Sequence, residues 1–460
     1  MILRLRILVF ALTLPFLSAF AQKSKKTDKL ILVNLETHIR YLSDDKLEGR
    51  QTGTPGEKTA ADYISSAFSQ AGLQPKGDHN GWLQTFEINE GRQVSSDSYF
   101  SVNDRHFSLD KEYFPLAISA VGTLSGSPAI ALQESGVPWF LDLKELLDAN
   151  GGLAGAQAPH AAAALSESIR TRAKECAKKG ATALILYNSS KIPDNLAYDS
   201  RNRPESAPIP IIYITKEAKR KYLRDESASL DIKLRVGFTE KRRTGHNIIG
   251  FLDNGAPNTI IIGTPYSAYT EGGEDSSALH RWRANDNASG VAAVIELARM
   301  LKESRLRGNN YLFVAFSGAT ERSEVPGHFG SGHFVEHAPV DLSNVNYMID
   351  MDRVGRLSDS SHLLTVGGYG SSPAWVGVCS KVVDKKALTL YPDNAAVGSG
   401  DHLSFYHRNI PVLFFFTGTG SPGQDKINYD GELQVLKFVY NIVQTVNGMG
   451  RVAFTKTNSF

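Results

Sequence analysis

The chain has 460 residues, of which 42% are hydrophobic and 21% are charged, and its formal net charge is +2 at neutral pH. This composition is typical of a globular protein, and the small charge excludes the strongly basic surface expected of a nucleic-acid-binding protein. The length exceeds that of most single domains, so we expect two folded units or one large domain with an insertion.

Residues 1–21 have the pattern of a secretory signal peptide. Arg4 and Arg6 precede an apolar run at 7–17, and an Ala-Phe-Ala sequence ends the segment. The apolar run is too short to span a membrane, and no cysteine stands at the cleavage position for lipidation. We therefore expect an exported protein, periplasmic or extracellular, without a membrane span.

Two helices are predicted within residues 30–72, with a glycine-containing loop at 47–56 between them. Leu32, Leu35 and Ile39 recur at helical spacing before the loop, and a second apolar stripe follows it. The loop is also compatible with a simple connection between helices. The segment 84–88 is predicted to be the first strand.

Residues 109–240 differ in character from the sequence on either side. Small apolar strands, for example at 209–214, alternate with an alanine-rich patch at 151–165 and short helices, and no cluster of nucleophiles or metal ligands occurs there. We interpret this region as an inserted β-rich domain that separates 22–108 from 241–460, the two parts of one larger domain.

The two cysteines, Cys176 and Cys379, fall in different predicted units. Export permits a disulfide bond between them but does not require one. Two buried free thiols are the expectation, and the pairing stays open at this point.

After residue 246 strands and helices alternate along the chain. The predicted strands are 247–251, 259–263, 310–317, 345–352, 363–367 and 412–416, and the predicted helices are 291–302, 330–337, 374–383 and 432–448. Such alternation predicts an α/β fold, a three-layer αβα arrangement around a mostly parallel sheet.

The sequence Asp-Asn-Ala-Ser-Gly at 286–290 opens one of these helices. The side-chain oxygens of Asn287 and Ser289 can cap the helix. Ligands of α/β sheets bind at the carboxyl ends of the strands, where this loop is predicted to lie. Asp286 is therefore a candidate site residue, although a helix cap without chemistry would also explain the pattern.

Six motifs in a fixed order make the chain resemble the co-catalytic zinc aminopeptidases, whose relatives include glutamate carboxypeptidase, glutaminyl cyclase and the transferrin receptor. These motifs lie at 47–56, 286–290, 316–318, 351–352, 398–402 and 425–429. The resemblance covers nearly all of the chain after residue 21. It implies the zinc exopeptidase fold, and the middle region is similar to the protease-associated domain that such enzymes often carry.

The resemblance implies metal-ligand positions at Asp286 and Asp352 and positions near the substrate at Asp401 and His402. The family's remaining ligand and catalytic positions are lost in this sequence. Pro265 stands at the first imidazole ligand, Ser267 at the carboxylate behind it, Ala319 at the general base and Thr320 at the following ligand. The segment that would hold the last histidine ligand is missing between Gly418 and Asp425.

Zinc sites use nitrogen or sulfur donors and three or four protein ligands, so two carboxylates are too few. We therefore expect an exported pseudopeptidase, without zinc, that binds a peptide or protein ligand. The alternative is an active zinc aminopeptidase whose site is rebuilt by Glu321 or Glu324, together with an imidazole from one of the histidines His280, His328 and His333. Glutaminyl cyclisation, a third possibility, needs zinc held by Asp, Glu and His, and only the Asp is present.

Two carboxylates that share a pocket without a metal need compensation. A retained proton, a weakly held calcium or magnesium ion, or a side-chain cation would each provide it. Among the cations we expect Arg283 to pair with Asp286 or Asp352, because strand alternation directs Arg353 away from the face that Asp352 occupies.

Overall fold

The computed structural model describes residues 26–149, 159–192, 196–198, 205–267, 284–318, 329–393, 400–418 and 426–457. The predicted signal peptide at 1–21 lies outside the described residues. The chain divides into two compact units, the first formed by the residues up to Ile88 and from Arg243 onward, the second by Asn89–Arg242. Residues 89–108 thus belong to the second unit, whereas the sequence-based boundary assigned them to the first.

The helices are α1 (26–42), α2 (Pro55–Gln70), α3 (Leu143–Ala149), α4 (Pro159–Lys178), α5 (Lys216–Tyr222), α6 (Ser289–Glu303), α7 (Phe329–Glu336), α8 (Ala374–Val382), α9 (His402–Tyr406) and α10 (Tyr429–Val446). Short 3-10 turns occur at Asp45–Arg50, Asp78–Asn80, Leu342–Asn344 and Tyr369–Ser371, and a π turn occurs at Ala284–Ala288. Among these helices none is long and apolar enough to cross a membrane.

The strands up to residue 214 are β1 (Gln74–Pro75), β2 (Leu83–Val94), β3 (Tyr99–Val102), β4 (Arg105–His106), β5 (Tyr113–Pro115), β6 (Gly122–Gly126), β7 (Trp139–Asp142), β8 (Leu184–Tyr187) and β9 (Ile211–Ile214). The later strands are β10 (Ile232–Val236), β11 (Phe238–Leu252), β12 (Thr259–Pro265), β13 (Asn310–Phe316), β14 (Val345–Met351), β15 (Leu363–Gly367), β16 (Thr389–Asp393) and β17 (Val412–Phe416).

The first unit is built on a nine-stranded sheet in the order β1-β11-β13-β12-β14-β17-β15-β16, with β2 also paired to β11. The four central strands β13, β12, β14 and β17 are parallel to one another. Antiparallel pairs join this parallel block to β11 on one side and to β15 on the other. The predicted α/β class with a mostly parallel central sheet is confirmed.

Both faces of the central strands are buried, as expected of parallel strands between helices. On β12, Ile260 and Ile262 face the core that contains α1, α2, α6, α8 and α10, whereas Ile261 faces the core on the opposite side with α7 and α9. This alternation gives the three-layer arrangement.

Local sequence signals set the ends of α2. The Thr54 side chain accepts a hydrogen bond from the Glu57 amide, and Pro55 occupies the first turn. After the helix, Gly72 adopts a left-handed φ of 81° and its amide bonds the Ser69 carbonyl, which lets the chain turn back. The two predicted helices in residues 30–72 are therefore present, on either side of the 47–56 loop.

The second unit contains two four-stranded sheets, β4-β3-β10-β6 and β5-β9-β8-β7, together with α3, α4 and α5. Leu184 of β8 packs against α4 residues such as Ile169 in one core of this unit, and Ile185 belongs to the other. Part of the predicted alanine-rich patch is helical in α4, which is longer than expected. The identification of this unit as a protease-associated domain stays a prediction. Cys176 of α4 and Cys379 of α8 are both buried and free, as expected.

The amino-terminal helices complete the core of the first unit, so the carboxyl-terminal segment should not fold alone. Leu35, Ile64 and Phe68 are buried in the same core as Val294 and Leu436. A fragment of residues 245–460 would expose this apolar surface. We expect it to be aggregated in gel filtration, and a soluble fragment with a cooperative melting transition would contradict this expectation.

Glu432, in the first turn of α10, is a buried acid without compensation. Its side chain is fully buried, and neither carboxylate oxygen accepts a hydrogen bond from the described residues. Burial raises the pKa of Glu432 well above its ordinary value of 4.5. Because the folded state holds this proton more tightly than the unfolded state, its stabilising contribution is lost as pH rises from about 4.5 upward.

Replacement of Glu432 by Met, which has a similar length, should therefore stabilise the protein, by about 1–3 kcal/mol near neutral pH. The difference between the two proteins should grow with pH, since only the wild type has to bury a charge or keep a proton. Urea unfolding at several pH values measures both effects. Glu336→Met, at an exposed position of the same unit, is the control, and parallel stability curves for wild type and Glu432→Met would contradict the pKa assignment.

Candidate site at the carboxyl edge of the central sheet

The candidate site lies where β12, β13 and β14 end. These three strands are parallel and adjacent, and they end at Pro265, Phe316 and Met351. Their carboxyl ends therefore meet at one edge of the sheet. The turn Ala284–Ala288, which carries Asp286, joins the start of α6 at this edge, as the sequence predicted.

The Asn287 side chain holds this edge together. Its Nδ2 donates to Thr264 Oγ1 (2.8 Å), to the Pro265 carbonyl (2.9 Å) and to the Met351 carbonyl (3.2 Å). Its Oδ1 accepts from the Gly290 amide at 3.0 Å and from the Arg353 amide at 2.8 Å. The side chain is buried, so one amide group links two strand ends, the start of α6 and the loop after β14.

The two predicted helix caps behave differently. Asn287 does bond an amide in the first turn of α6, but the Ser289 hydroxyl donates to the Asn285 carbonyl at 3.0 Å and caps nothing. Gly290 is required for a steric reason, because a Cβ there would lie 2.3 Å from the Met351 carbonyl oxygen. The small residues of this motif thus allow α6 to approach the end of β14.

The 47–56 loop is anchored to the same edge by Arg50. This side chain is fully buried and donates to the carbonyls of Leu42, Tyr266 (2.8 Å) and Asp286 (3.1 Å). The loop therefore does more than connect two helices, because its arginine fixes the backbone of Asp286.

A second anchor is the buried carboxylate of Glu57. Its Oε1 accepts from Ser317 Oγ (2.5 Å), Tyr266 Oη (3.0 Å) and the His246 amide (3.2 Å), and its Oε2 accepts from the Gly53 amide at 2.7 Å. Burial opposes ionisation, but hydrogen bonds from His246, Ser317 and Gly53 keep the pKa of Glu57 below its ordinary value. This carboxylate holds the residues that follow β12 and β13.

The cation beside the two remnant carboxylates is Arg353. Its Nη2 lies 2.7 Å from Asp286 Oδ2, and its Nε lies 4.0 Å from Asp352 Oδ1. The argument that strand alternation directs Arg353 away was wrong, because β14 ends at Met351 and Arg353 has a left-handed φ of 50°. Arg283, the predicted partner, lies outside the described residues.

The environment of Asp352, next to this arginine, disfavours the ionised form of its carboxyl group. Its Oδ1 accepts no hydrogen bond from the described residues. The pKa of Asp352 is raised to about 8, mainly by burial; Arg353 lowers it, and the nearby acids Asp286, Asp350 and Asp401 contribute to the increase. Of the compensations considered from the sequence, a side-chain cation and a retained proton both operate here.

His402, one of the two residues predicted to lie near a substrate, pairs with a carboxylate that the sequence analysis did not single out. Its Nδ1 lies 2.9 Å from Asp350 Oδ2, its amide lies 3.2 Å from the same oxygen, and both side chains are buried. Asp401 is also buried and precedes α9. Asp350 and Asp401 lie close enough to Asp352 for their charges to raise its pKa.

The described residues at this edge do not by themselves form a zinc site of three or four ligands. Pro265 offers only a carbonyl, which already accepts from Asn287, and Ser267 carries a buried hydroxyl. Among the described residues no group of three or more His, Cys, Asp or Glu side chains is arranged to hold a metal. The Arg353 guanidinium contacts the Asp286 carboxylate.

Several predicted positions cannot be placed at the site. Outside the described residues lie Ala319, Thr320, Glu321, Glu324, His280 and His328. His333 is described, but it stacks on Phe86 and on His337, and it forms no metal-ligating group with Asp286 and Asp352.

Sequence reasoning missed Glu57 and Asp350 as site residues. Glu57 had a detectable signal, since it is a carboxylate in the first turn of a helix directly after the glycine-containing loop. Asp350 had none, because its partner His402 is 52 residues away in sequence and only the fold brings the two together.

The chain is similar in sequence to known aminopeptidases. Aminopeptidase YwaD of Bacillus subtilis (strain 168) is 31% identical over 254 residues, which cover 54% of this chain and 50% of that protein. An aminopeptidase of Pseudomonas aeruginosa (strain UCBPP-PA14) is 26% identical over 191 residues, 41% of this chain and 33% of that protein. The matches therefore span half or less of the length of these relatives.

Solved structures of similar chains include BSAP, a zinc aminopeptidase from Bacillus subtilis, and an aminopeptidase from Aneurinibacillus sp. strain AM-1. BSAP is 19% identical with a TM-score of 0.49, over 93% of this chain and 97% of that one. The Aneurinibacillus enzyme is 20% identical with a TM-score of 0.46, over 93% and 96%. Residues 247–433, which include the candidate site, match the family model of Peptidase family M28. The resemblance to the co-catalytic zinc aminopeptidases is confirmed by this match and by the similarity to aminopeptidase YwaD.

Proposed function

We propose that this chain is a non-catalytic member of the family, an exported pseudopeptidase that binds a peptide or protein ligand. The observation that carries the proposal is the ion pair between Arg353 and Asp286, with an Nη2 to Oδ2 distance of 2.7 Å. In the family, as the resemblance implies, the carboxylate at this position bridges two zinc ions. Here a guanidinium that belongs to the chain neutralises it.

An arginine replaces the charge of a metal ion but not its chemistry. A bound metal polarises a carbonyl and lowers the pKa of a bound water to produce a nucleophile. The guanidinium has five N–H donors and no empty coordination position, and it stays protonated at all relevant pH values. Arg353 therefore stabilises the carboxylates without activating water.

Neither the family's base position nor the anchoring carboxylate Glu57 supplies a general base. The resemblance places the family's base at Ala319, which has no ionisable side chain. Glu57 is the nearest candidate replacement by its position after the loop, but its two oxygens together already accept from Ser317, Tyr266, the His246 amide and the Gly53 amide. A carboxylate so occupied is a structural anchor and not a base that takes a proton from water.

The binding role rests on what the family resemblance retains. The 47–56 loop, the Asp-Asn-Ala-Ser-Gly turn and the Asp401-His402 pair keep their places in the sequence, and the transferrin receptor illustrates that a relative can lose hydrolysis and keep binding. The signal-peptide pattern at 1–21 supports export to the periplasm or the extracellular space.

The first test is enzymatic. We expect the purified protein to release no arylamide from aminoacyl substrates, with or without added Zn²⁺, because the absent base and ligands each remove several kcal/mol of transition-state stabilisation. Release of arylamine is followed by absorbance, and the zinc content of the protein is measured in parallel. An active zinc aminopeptidase of the family is the positive control.

Glu321→Gln separates the proposal from its alternative, the active enzyme with a rebuilt metal site. Turnover that increases with zinc occupancy and disappears in Glu321→Gln would overturn the pseudopeptidase in favour of that enzyme. Turnover that persists in this variant is tested again in Glu324→Gln, and turnover that persists in both variants but is lost on repurification to constant specific activity comes from a contaminating peptidase.

The second test addresses the ion pair itself. Arg353→Met should lower the free energy of unfolding, because Asp286 and Asp352 would then share the pocket without a cation. We expect a decrease of about 1–2 kcal/mol, which lies between the typical cost of breaking an exposed ion pair and that of breaking a buried one. Asp286→Asn in the Arg353→Met background should recover part of the loss. Urea unfolding of the wild type, both single variants and the double variant gives the coupling energy.

Arg408→Met, at an exposed arginine of the same unit, controls for the loss of a surface charge. It should change stability by less than about 0.5 kcal/mol. Zero coupling between Arg353 and Asp286, and in a second cycle between Arg353→Met and Asp352→Asn, would show that the guanidinium does not compensate the carboxylates, and the proposal would lose its main support.

A further inference from the structure

Two histidines on one helix face lie outside the candidate site and have no part in the proposed function. His333 belongs to α7 and His337 follows its last turn, four residues later. Their rings are stacked, with centroids 4.2 Å apart and planes inclined by 21°. Residues four apart on a helix share a face, and two imidazoles at this spacing can bind one metal ion together.

The tautomer of His337 can be assigned from its hydrogen bond. Its Nδ1 lies 3.2 Å from the His333 carbonyl oxygen, which can only accept, so Nδ1 carries the proton. Its Nε2 is then left with a lone pair, and the ring is exposed.

The position of both rings is supported by the surrounding structure. Phe86 stacks on His333 at a centroid distance of 5.5 Å. The His337 carbonyl accepts from Gln84 Nε2 at 2.9 Å, and Gln84 in turn accepts from Asn247 at 3.0 Å. The end of α7 is thereby attached to β2 and β11, so the two imidazoles are held on a rigid element.

The charge state of the pair suits metal binding. Burial lowers the pKa of His333, the neighbouring His337 lowers it further, and Asp78 and Glu336 act in the opposite direction. His333 is therefore largely neutral near neutral pH, and neutral imidazole is the form that coordinates metals. The two acids place negative charge near the pair, which favours a cation over an anion.

We infer that His333 and His337 form a surface site for a divalent late transition-metal ion, with the two Nε2 atoms as protein ligands and water in the remaining positions. Among such ions Cu²⁺ should bind most tightly and Zn²⁺ and Ni²⁺ more weakly, following the general order of stability for nitrogen ligands. Binding requires rotation of the exposed His337 ring, since stacked planes do not direct both Nε2 atoms at one point.

This site would be independent of the proposed pseudopeptidase function. It shares no residue with the edge that carries Asp286 and Asp352, and it uses imidazoles that the family resemblance does not assign to zinc. A protein that fails the peptidase prediction could still bind Cu²⁺ here, and the reverse also holds.

The test is calorimetric titration of the purified, tag-free protein with CuCl2 in a buffer that contains glycine as a competing chelator. We expect one equivalent to bind. His337→Gln should weaken Cu²⁺ binding by at least roughly 10- to 100-fold. That is the loss in affinity observed when a residue that only supports a metal ligand is replaced, and His337 is itself a ligand in the proposed site. His333→Gln should have the same effect, and the bound Cu²⁺ should show the electron paramagnetic resonance pattern of two nitrogen ligands in the wild type and of fewer in either variant.

His407→Gln is the matched control, because it removes an exposed imidazole elsewhere in the same unit. It should leave the affinity unchanged. The result for His337→Gln decides the matter even if His333→Gln proves unstable, because the His337 side chain is exposed. Absence of Cu²⁺ binding by the wild type, unchanged affinity in His337→Gln, or an equal loss in His407→Gln would each overturn the inference.

Discussion

The architecture of the candidate site depends on one buried side-chain amide. Asn287 donates to the ends of β12 and β14 and accepts from the first turn of α6 and from the Arg353 amide. A buried amide group with all its hydrogen bonds formed fixes geometry strongly, because each unpaired group would cost about 1–3 kcal/mol. The positions of Asp286, which precedes Asn287, and of Arg353, whose amide donates to Asn287, follow from this arrangement.

At the carboxyl edge of the central sheet, charged side chains are paired with other groups of the chain. Arg50 binds the backbone of Asp286, Glu57 binds the residues after β12 and β13, and Arg353 pairs with the Asp286 side chain. The scaffold of a peptidase site is thus retained while its functional groups are engaged with one another. Groups that bond one another are less available to bind a metal or to activate water, and this is the physical basis of the proposed non-catalytic role.

The sequence predicted the central strands and helices closely, because apolar runs such as 259–263 and 345–351 are buried on both faces of the sheet and need parallel partners. It placed the boundary of the second unit too late, since residues 83–94 form one continuous strand and contain no break that marks a boundary. It misjudged Arg353 because alternation applies only inside a strand, and a single left-handed residue after Met351 reverses the direction of the side chain. The pairing of Asp350 with His402 arises only in the folded chain.

A cation that is part of the polypeptide differs from a metal ion in one respect that matters for the evolution of the site. A metal ion dissociates and rebinds with its supply, whereas Arg353 is present in every copy of the protein and cannot be removed by chelation. A variant that regained an imidazole at position 265, or carboxylates at 319 and 320, would place these donors around a guanidinium that already occupies the Asp286 carboxylate. Under the proposed function, each such change would meet an Asp286 carboxylate that is already paired, so the arginine would have to be lost first, at a cost in stability. Under that proposal, the ion pair makes a lost metal site harder to regain than it was to lose.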